Sequence, residues 1–393
     1  MKIAILTSGI LPVPSVQGGA VETLIDYLLE YNDKHKLHDI TIYSVYHPTV
    51  DKHPALRSEV NRYEYIDTIS TTAKIRKRMH GILHRHTYYH YSIDYFLKET
   101  LSRIKGEKFD CIIIANRPGF ALEMKHVPDT RIVHLLGNDF LNNEVPHSEE
   151  LYRAASLIIA NSNYIKSRVQ TCNPDDTKCV TVYNGIDLSP FSVTPVITRE
   201  TLGYDKDDFI LAFSGRLIPE KGILELIEAM NMIKEEPRIK LLVMGSSFYG
   251  NDSSENPFVT ELKTRAEGVR ERILFTGYVR HDEIPDYLRL ADVAVIPSTW
   301  EEPFGLTVVE GMAAGLPVIT TNRGGIPEIV SKDNAIVIPF PGDFSGNLAR
   351  AIMYLYHHKD EHKSMGKMSK FLSGKFSKET YAKNTFDAIS RII

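Results

Sequence analysis

The sequence predicts an α/β protein built from two doubly wound, Rossmann-like domains. Short, continuous apolar runs rich in β-branched residues recur along the whole chain, and amphipathic helical patterns lie between them. Runs without polar alternation are typical of strands buried on both faces of a parallel sheet, and their alternation with helices indicates βαβ units. A chain of 393 residues is too long for one ordinary core and suits two domains.

The apolar runs give the order of the predicted strands. In the first half they are KIAIL (2–6), ITIYSV (40–45), CIIIA (111–115), RIVHLL (131–136), LIIAN (157–161) and VTVY (180–183). In the second half they are FILAFSG (209–215), KLLVMG (240–245), RILFTG (272–277), DVAVIPS (292–298), PVITT (317–321) and AIVIP (335–339). The clearest helical patterns are AVETLIDYLLEY (20–31) and GILELIEAMNMI (222–233).

The alternation pauses at 188–207, where prolines occur without a strong apolar period. This pause predicts a linker. We therefore expect an N-terminal domain over 1–187, a C-terminal domain over 188–375 and an amphipathic helix over 376–393.

Composition restricts the class of protein. The formal net charge of −4 gives no general attraction to nucleic acid, and 43% hydrophobic with 24% charged residues is ordinary for a globular protein. The three cysteines, Cys111, Cys172 and Cys179, lack a framework spacing and indicate a reducing compartment. No run approaches the ~18 apolar residues needed to span a bilayer. We expect a cytoplasmic protein, with peripheral contact at the inner membrane face left open.

Gly18 and Gly19 follow the first predicted strand and its proline-containing loop, and a helix begins directly after them. Adjacent glycines let a backbone approach a ligand closely, and the start of a helix offers unpaired N–H groups. The pair does not form a G-x-G-x-x-G dinucleotide fingerprint. A flexible loop that turns into a helix is the alternative interpretation.

The segment SGRLIPEKGILELI (214–227) carries two cations between a strand and a helix. Arg216 can bind a diphosphate at two points and Lys221 adds a point charge. Two solvated loop charges are the alternative, which the surrounding glycines disfavour. The motif predicts a diphosphate site.

The segment PSTWEEPFGLTVVEGMAAGLPVITT (297–321) joins a strand to a helix of small and apolar residues. The first turn of that helix offers unpaired N–H groups to an anion. Glu302 precedes the turn and Glu310 lies within the helix, where a carboxylate needs a partner or a ligand. Sugar and ribose hydroxyls are suitable donors; a capping glutamate and a structural ion pair are the alternative. The next motif, RGGIPEIV (323–330), leaves a structural and a functional role for Glu328 equally open.

These motifs together resemble a known family. EPFGLTVVEGMAAGLPVI, with two glutamates eight residues apart, resembles the signature of family four of the retaining glycosyltransferases. Further similar strings, in the same order as in the family, are SGRLIPEKG, TVYNGID (181–187), NSNYIKS (161–167), FTGYV (275–279) and GGIPEIV. NRP (116–118) and GNDF (137–140) are most similar to the branch of spore-coat and cell-surface polysaccharide transferases.

The resemblance implies the GT-B fold, in which two Rossmann-like domains face each other across a cleft and the last helix returns to the first domain. It implies a nucleotide-sugar co-substrate, usually a UDP-sugar, no metal or other cofactor, and retention of anomeric configuration. The donor residues that it implies are Arg216 and Lys221 for the diphosphate, Glu310 for the ribose, Glu302 with the backbone of Phe304, Gly305 and Leu306 for the sugar, Val279 and Arg280 for the base, and Gly18 with Gly19 for the phosphates. It implies Asn116 and Arg117 for the acceptor.

One position departs from the family. The related branch has a histidine before Asn-Asp at the end of the fourth strand of the first domain, and this chain has Gly137 before Asn138 and Asp139. His134 lies three residues earlier, roughly 10 Å back along a strand, which predicts a core histidine. We expect Asn138 or Asp139 to reach into the space beside Gly137 and to serve, with Glu302, as the catalytic groups.

The stretch KIRKRMHGILHRHTYYHY (74–91) is basic and rich in histidine. It predicts either a solvated helix or loop, or a contact with anionic lipid or a lipid-linked acceptor. A metal site from His80, His84, His86 and His90 is a weaker alternative, and we predict no metal site in this chain.

Three functions remain compatible with the sequence. The first is a retaining, hexosyltransferase-type enzyme that moves a sugar to a glycan or lipid-linked acceptor in cell-surface polysaccharide or glycoconjugate synthesis. The second is a non-catalytic sugar-nucleotide-binding member of the same fold. The third, a nucleotide-sugar epimerase, is disfavoured by the segment from Glu302 to Glu310. The donor sugar, the acceptor and the oligomeric state do not follow from the sequence.

Overall fold

The computed structural model describes residues 1–83, 88–126, 130–246 and 256–392. It divides into two compact units: unit 1 comprises Met1–Gly185 with Lys378–Ile393, and unit 2 comprises Ile186–Ser377. Each unit contains one sheet whose paired strands are all parallel. The predicted fold class, two Rossmann-like α/β domains, is confirmed.

Unit 1 has the strand order β3-β2-β1-β4-β5-β6-β7. Its strands are β1 (Lys2–Leu6), β2 (Asp39–Val45), β3 (Asn61–Ile66), β4 (Cys111–Ala115), β5 (Arg131–Leu136), β6 (Leu157–Ala160) and β7 (Cys179–Thr181). Its first helices are α1 (Ala20–His35), α2 (Thr71–Leu83), α3 (Tyr91–Ile104), α4 (Ser148–Ala154) and α5 (Asn163–Gln170). Alternate residues of β1 belong to two separate cores, Ala4 and Leu6 to one and Ile3 and Ile5 to the other. Both faces of the strand are buried, which is why its apolar run is continuous.

Unit 2 has the strand order β10-β9-β8-β11-β12-β13. Its strands are β8 (Phe209–Ser214), β9 (Ile239–Met244), β10 (Ile273–Gly277), β11 (Val293–Ile296), β12 (Val318–Thr321) and β13 (Ala335–Ile338). Its helices are α6 (Ile223–Met232), α7 (Pro257–Arg265), α8 (Ile284–Leu288), α9 (Leu306–Ala313), α10 (Phe344–His357) and α11 (Lys359–Ser373). Leu226 and Met230 of α6 pack in one core with Ile352 of α10 and Val243 of β9.

The C-terminal helix α12 (Lys378–Ser390) packs on α1 in unit 1. Its Tyr381, Phe386 and Ile389 are buried in the same core as Leu28 of α1. At its start, Lys378 Nζ lies 2.9 Å from Glu30 Oε2. The apolar face that the sequence indicates for this segment is therefore the face that covers unit 1.

Every apolar run predicted as a strand forms one, and its ends lie within two residues of the predicted ends. The prediction missed β3, whose sequence NRYEYI alternates polar and aromatic residues. This strand lies at the edge of the sheet, and Arg62 is exposed. An edge strand has one partly exposed face, so it lacks the continuous apolar run of a central strand.

Candidate functional site

In both sheets, most of the predicted site residues follow strands that meet where the strand order reverses. In unit 2, β8 and β11 are neighbours although β9 and β10 come between them in the chain; in unit 1, β1 and β4 are related in the same way. The carboxyl ends of strands at such a reversal are where open α/β sheets bind ligands.

In unit 2, two side chains, those of Lys221 and Ser298, contact one oxygen atom of Glu302. Lys221 Nζ lies 2.5 Å from Glu302 Oε1, and Ser298 Oγ donates a hydrogen bond of 2.7 Å to the same oxygen. Ser298 is fully buried and Glu302 is 6% exposed. Among the residues that the structure describes, Oε2 of Glu302 has no hydrogen bond or ion pair. One oxygen thus fixes the carboxylate and the second remains available to a ligand.

Two glycines allow the loops that carry these side chains to pack closely. Gly222, next to Lys221, has φ of 70°, and a Cβ built on it would lie 1.8 Å from the carbonyl oxygen of Pro297. Gly324 has φ of 56°, and its Cβ would lie 2.0 Å from the carbonyl oxygen of Glu302. Any side chain at either position would push the loops apart, since backbone atoms cannot move aside as a flexible side chain can.

The start of α9 presents backbone groups beside Glu302. Gly305 precedes the helix with φ of 119°, and no side chain caps it. Phe304 is 2% exposed and its ring lies 5.8 Å from that of Phe376, so the turn before Leu306 is anchored in the interior. An anchored, uncapped helix start offers N–H groups and a positive dipole end to an anion.

Glu310 is buried on α9, with 6% of its surface exposed. Burial raises the pKa of its carboxyl, and the nearby His281 acts in the opposite direction. The Nδ1 atom of His281 is 3.8 Å from Glu310 Oε1, beyond hydrogen-bonding distance. Within the described part of the chain this is the one polar contact of the carboxylate. Its oxygens can therefore accept hydrogen bonds from the hydroxyl groups of a ligand.

The remaining predicted donor residues differ in exposure. Arg216 is exposed in the loop after β8. Val279 is half-buried, and Arg280 is exposed with its side chain paired to Asp282. The backbone N–H of Arg280 also donates to Glu283 Oε2 at 3.3 Å. The guanidinium of Arg280 is therefore engaged within its own loop, and the contact of the Val279 and Arg280 backbone with a base stays a prediction.

Unit 1 places Gly18 and Gly19 directly before α1, with φ of 76° and 101°. A Cβ on Gly18 would meet no atom of the described residues within 4 Å. In the first turn, Glu22 is 4% exposed and accepts a 2.8 Å hydrogen bond from Ser8 Oγ. Burial raises the pKa of the Glu22 carboxyl, while the Ser8 hydrogen bond and the charge of Arg117 lower it.

Asn116 and Arg117 follow β4, beside the loop that follows β1. Asn116 is buried with φ of 57°, and its Oδ1 accepts a 3.1 Å hydrogen bond from Gly137 N. Arg117 is half-buried, and its Nε donates to the carbonyl oxygen of Ser8 at 3.3 Å. The two residues therefore connect the loops after β1, β4 and β5.

Three polar residues near the end of β5, His134, Asn138 and Asp139, differ in burial and in their contacts. His134 is fully buried, its Nε2 lies 3.3 Å from the Leu151 carbonyl oxygen, and burial lowers its pKa to about 4. It is a core histidine, as its position in the sequence predicts. Asn138 is half-buried. Asp139 pairs with Arg168 Nε at 2.7 Å and accepts from Asn142 Nδ2 at 2.8 Å, so its carboxylate is held by α5 and by its own loop.

Gly137 lies against the side chains of Asn116 and Val21. A Cβ built on it would be 3.7 Å from Oδ1 of Asn116 and from the Val21 side chain, which is ordinary van der Waals contact. A Cβ would therefore fit at this position, and the interpretation that glycine leaves room for a sugar stays a prediction.

The basic stretch forms α2, whose outward face is apolar. Ile75, Met79 and Ile82 are 55%, 56% and 66% exposed, and their spacing puts them on one face of the helix. Lys74, Arg76 and Arg78 are exposed on either side of that face. Lys77 is half-buried, with Nζ 3.5 Å from the Thr68 carbonyl oxygen, and His80 is buried against Asp94. His84 and His86 lie outside the described residues, so the weaker metal alternative is untested.

The sequence analysis missed several side chains that hold these edges. Glu301 binds Arg323 Nη2 at 2.8 Å and the backbone N–H of Gly324, which fixes the RGG loop. Ser298, at the end of a predicted strand, and Glu22, in the first turn after two glycines, were visible in the sequence. Their partners are distant in the chain, so only the fold identifies what they hold.

Comparison with known proteins gives one consistent family. The model of "Glycosyltransferase Family 4" matches residues 20–190, and that of "Glycosyl transferases group 1" matches residues 197–370. A putative glycosyltransferase, YtcC of Bacillus subtilis (strain 168), is 32% identical over 85% of this chain and 78% of its own. Spore coat protein SA of the same organism is 28% identical over 94% of both chains.

Solved structures share the fold. Anabaena Alr3699/HepE, crystallised with UDP and glucose, has a TM-score of 0.73 over 99% of both chains at 23% identity. Sucrose-phosphate synthase (tll1590) from Thermosynechococcus elongatus has a TM-score of 0.76 over 100% of this chain and 99% of its own at 19% identity. At these identities the likeness establishes the GT-B fold and nothing finer.

Proposed function

The chain belongs to glycosyltransferase family 4, and we propose that it is a retaining enzyme that moves a sugar from a UDP-sugar to a glycan or lipid-linked acceptor in cell-surface polysaccharide or glycoconjugate synthesis. The observation that supports this best is the oxygen of Glu302 shared by Lys221 and Ser298. It holds a carboxylate and a cation side by side, at the sheet edge where a nucleotide sugar would need both.

The diphosphate is proposed to bind Arg216, Lys221 and the backbone N–H groups at Gly305 and Leu306. Two cations and a helix dipole stabilise the negative charge that develops on a leaving nucleoside diphosphate. This protein-supplied charge is why we propose catalysis without a metal ion. In unit 1, the glycine turn before α1 is proposed to bring its backbone close to a phosphate.

The two buried glutamates are proposed to bind different parts of the donor. Glu302 Oε2 accepts a hydrogen bond from a sugar hydroxyl, because its other oxygen is already occupied. Glu310 accepts from the ribose hydroxyls, since its carboxylate is buried and has His281 as its one polar contact among the described residues. The backbone beside Val279 contacts the base, and Asn138 and Asp139 are the proposed catalytic groups of unit 1.

Calorimetry with UDP in excess EDTA tests the donor site. We expect the wild-type protein to bind, and Arg216→Ala to weaken binding by about 1.5–3 kcal/mol, the scale of a hydrogen bond to a charged group. Arg238→Ala is a matched control, since this exposed arginine of unit 2 precedes β9 at the opposite edge of the sheet. Absence of UDP binding in EDTA would refute the metal-independent site.

Slow hydrolysis of one member of a panel of sugar nucleotides tests turnover, and the anomer first released, observed by NMR, tests retention. One competing function is a non-catalytic protein that binds sugar nucleotides. It is favoured by Gly137, because the related branch has a histidine at this position and this chain lacks that side chain. A protein that binds UDP but hydrolyses and transfers no donor would be the non-catalytic sugar-nucleotide-binding member.

We also propose that α2 docks on an anionic membrane surface. The exposed Ile75, Met79 and Ile82 form an apolar face, and Lys74, Arg76 and Arg78 flank it. Such a helix lies in the plane of an anionic interface with its apolar side inserted. Among the described residues no helix has both the length and the apolar character needed to cross a membrane.

A further inference from the structure

We propose that Arg117 forms a binding site for an acidic group of the acceptor, a carboxylate or a phosphate. This inference rests on the proposed transferase function and adds the chemical class of the acceptor. The observation behind it is a half-buried arginine in unit 1 that has no carboxylate within 4 Å among the residues that the structure describes.

Other half-buried arginines of the described chain have a carboxylate within 3 Å. The pairs are Arg168–Asp139 at 2.7 Å, Arg199–Asp292 at 2.9 Å, Arg289–Asp286 at 2.6 Å and Arg323–Glu301 at 2.8 Å. Arg117 has no carboxylate within 4 Å among the residues described. A cation that is partly removed from water without a counterion is unfavourable, so a ligand anion would supply what the chain does not.

The guanidinium of Arg117 is held in one orientation. Its Nε donates to the Ser8 carbonyl oxygen at 3.3 Å, and its central carbon lies 5.2 Å from the Tyr89 ring and 6.0 Å from the Phe140 ring. The Tyr89 hydroxyl in turn accepts a 3.0 Å hydrogen bond from Gly119 N. Stacking on aromatic faces and one hydrogen bond fix the plane of the group.

Both terminal nitrogens of Arg117 remain for a ligand, because the described residues make hydrogen bonds only to its Nε. A fixed guanidinium fork binds a carboxylate or phosphate through two parallel hydrogen bonds. The Phe140 ring is 40% exposed and offers a flat face against which a sugar ring can pack. The combination suits an acidic sugar or a sugar phosphate better than a neutral one.

The charge of Arg117 acts on the buried Glu22 without forming an ion pair with it. Glu22 is the nearby acid, but it lies outside ion-pair distance, and its Oε1 is bonded to Ser8. Arg117 follows β4 where β4 adjoins β1, the reversal point at which such sheets bind ligands.

The test compares three probes by saturation-transfer NMR: methyl β-glucuronide, glucose 6-phosphate and methyl β-glucoside. We expect the wild-type protein to bind at least one acidic probe on the order of tenfold more tightly than the neutral one. Which acidic probe binds identifies carboxylate or phosphate as the group. Arg117→Gln should abolish the preference, and Arg117→Lys should retain part of it because charge remains without the fork.

Arg131→Gln is the matched control, since this exposed arginine begins the neighbouring strand β5 at the opposite sheet edge. It should keep the full preference. A wild-type protein without the preference, or a preference that survives in Arg117→Gln, would overturn the proposal. A purely structural Arg117 would instead lower the unfolding temperature of Arg117→Gln without changing probe selectivity. UDP binding is measured in every variant, so failure of the donor site is seen separately.

Discussion

The loops at the carboxyl ends of the two parallel sheets hold their charged side chains in opposite ways. In unit 2, Lys221 and Ser298 are bonded to Glu302, so cation and carboxylate have fixed positions before any ligand arrives. In unit 1, Arg117 is fixed by rings and a carbonyl group, and its charge is not matched by a carboxylate within 4 Å in the described chain. A cation in an ion pair has a fixed position, but its partner carboxylate weakens its attraction for a ligand anion. A cation without such a partner attracts a ligand anion with its full charge and so favours acidic ligands over neutral ones.

The two sets of loops also differ in how readily their site residues can be identified from the sequence. Most of the predicted donor residues of unit 2 lie in two dense segments, 214–227 and 297–321, and Val279 with Arg280 lies between them. The unit 1 edge takes single residues from the loops after β1, β4 and β5. Its chemistry is dispersed along the chain, and the sequence indicates it less specifically.

The largest expected effect separates the two glutamates of unit 2. Glu302→Ala should lower donor turnover by roughly 100-fold or more, the scale for losing one group that contacts the transition state. UDP affinity should be retained or increased, because Lys221 then no longer shares its charge with a carboxylate. Glu310→Ala should weaken UDP by about 1–3 kcal/mol. Calorimetry and turnover assays measure both, and an equal loss of UDP affinity in the two variants would contradict the assignment.

A comparable effect is expected from the proposed catalytic carboxylate of unit 1. Asp139→Ala should abolish transfer and leave UDP binding intact. Since Asp139 also holds Arg168 at 2.7 Å, Arg168→Gln is the necessary control. Full activity in Arg168→Gln supports direct contact of Asp139 with the substrate. If both variants lose activity equally, Asp139 acts by positioning α5 and its loop.

Acid should destabilise unit 1 through His134. In the folded protein its pKa is about 4, whereas the unfolded chain takes up the proton near 6.5. Acid therefore favours the unfolded state, and stability is lost as the pH falls from 6.5 towards 4, by about 3 kcal/mol from this group. His134→Gln can keep a donor to the Leu151 carbonyl without titrating. Urea unfolding of both proteins at several pH values should show the variant losing less stability in acid; parallel profiles would exclude His134 as the cause.

The smallest effect concerns α2. Replacing Lys74, Arg76 and Arg78 by Gln should weaken binding to anionic vesicles by about 1 kcal/mol for each charge removed. The control replaces Lys34, Arg57 and Lys105, three exposed cations elsewhere in unit 1. Sedimentation with vesicles at low salt measures both triple variants. Equal losses would indicate attraction by general charge rather than docking of α2, and a wild-type protein that ignores the vesicles would exclude the membrane surface.

The sequence by itself determined the alternation of strands and helices and the family motifs of unit 2. Both are local: a buried parallel strand needs a continuous apolar run, and a diphosphate site at a helix start needs its glycines and charges within one segment. The edge strand β3 escaped prediction because its NRYEYI pattern is only partly buried.

Only the tertiary structure decided how the charges are partnered. Lys221 and Glu302 are 81 residues apart, and Asp139 and Arg168 are 29 apart. No local sequence pattern predicts that these pairs form ion pairs. Nor does any predict that Arg117 has no carboxylate within 4 Å among the described residues. Partnership depends on which strand ends the sheet order makes adjacent, because a charge interacts with what is near it in space rather than in sequence.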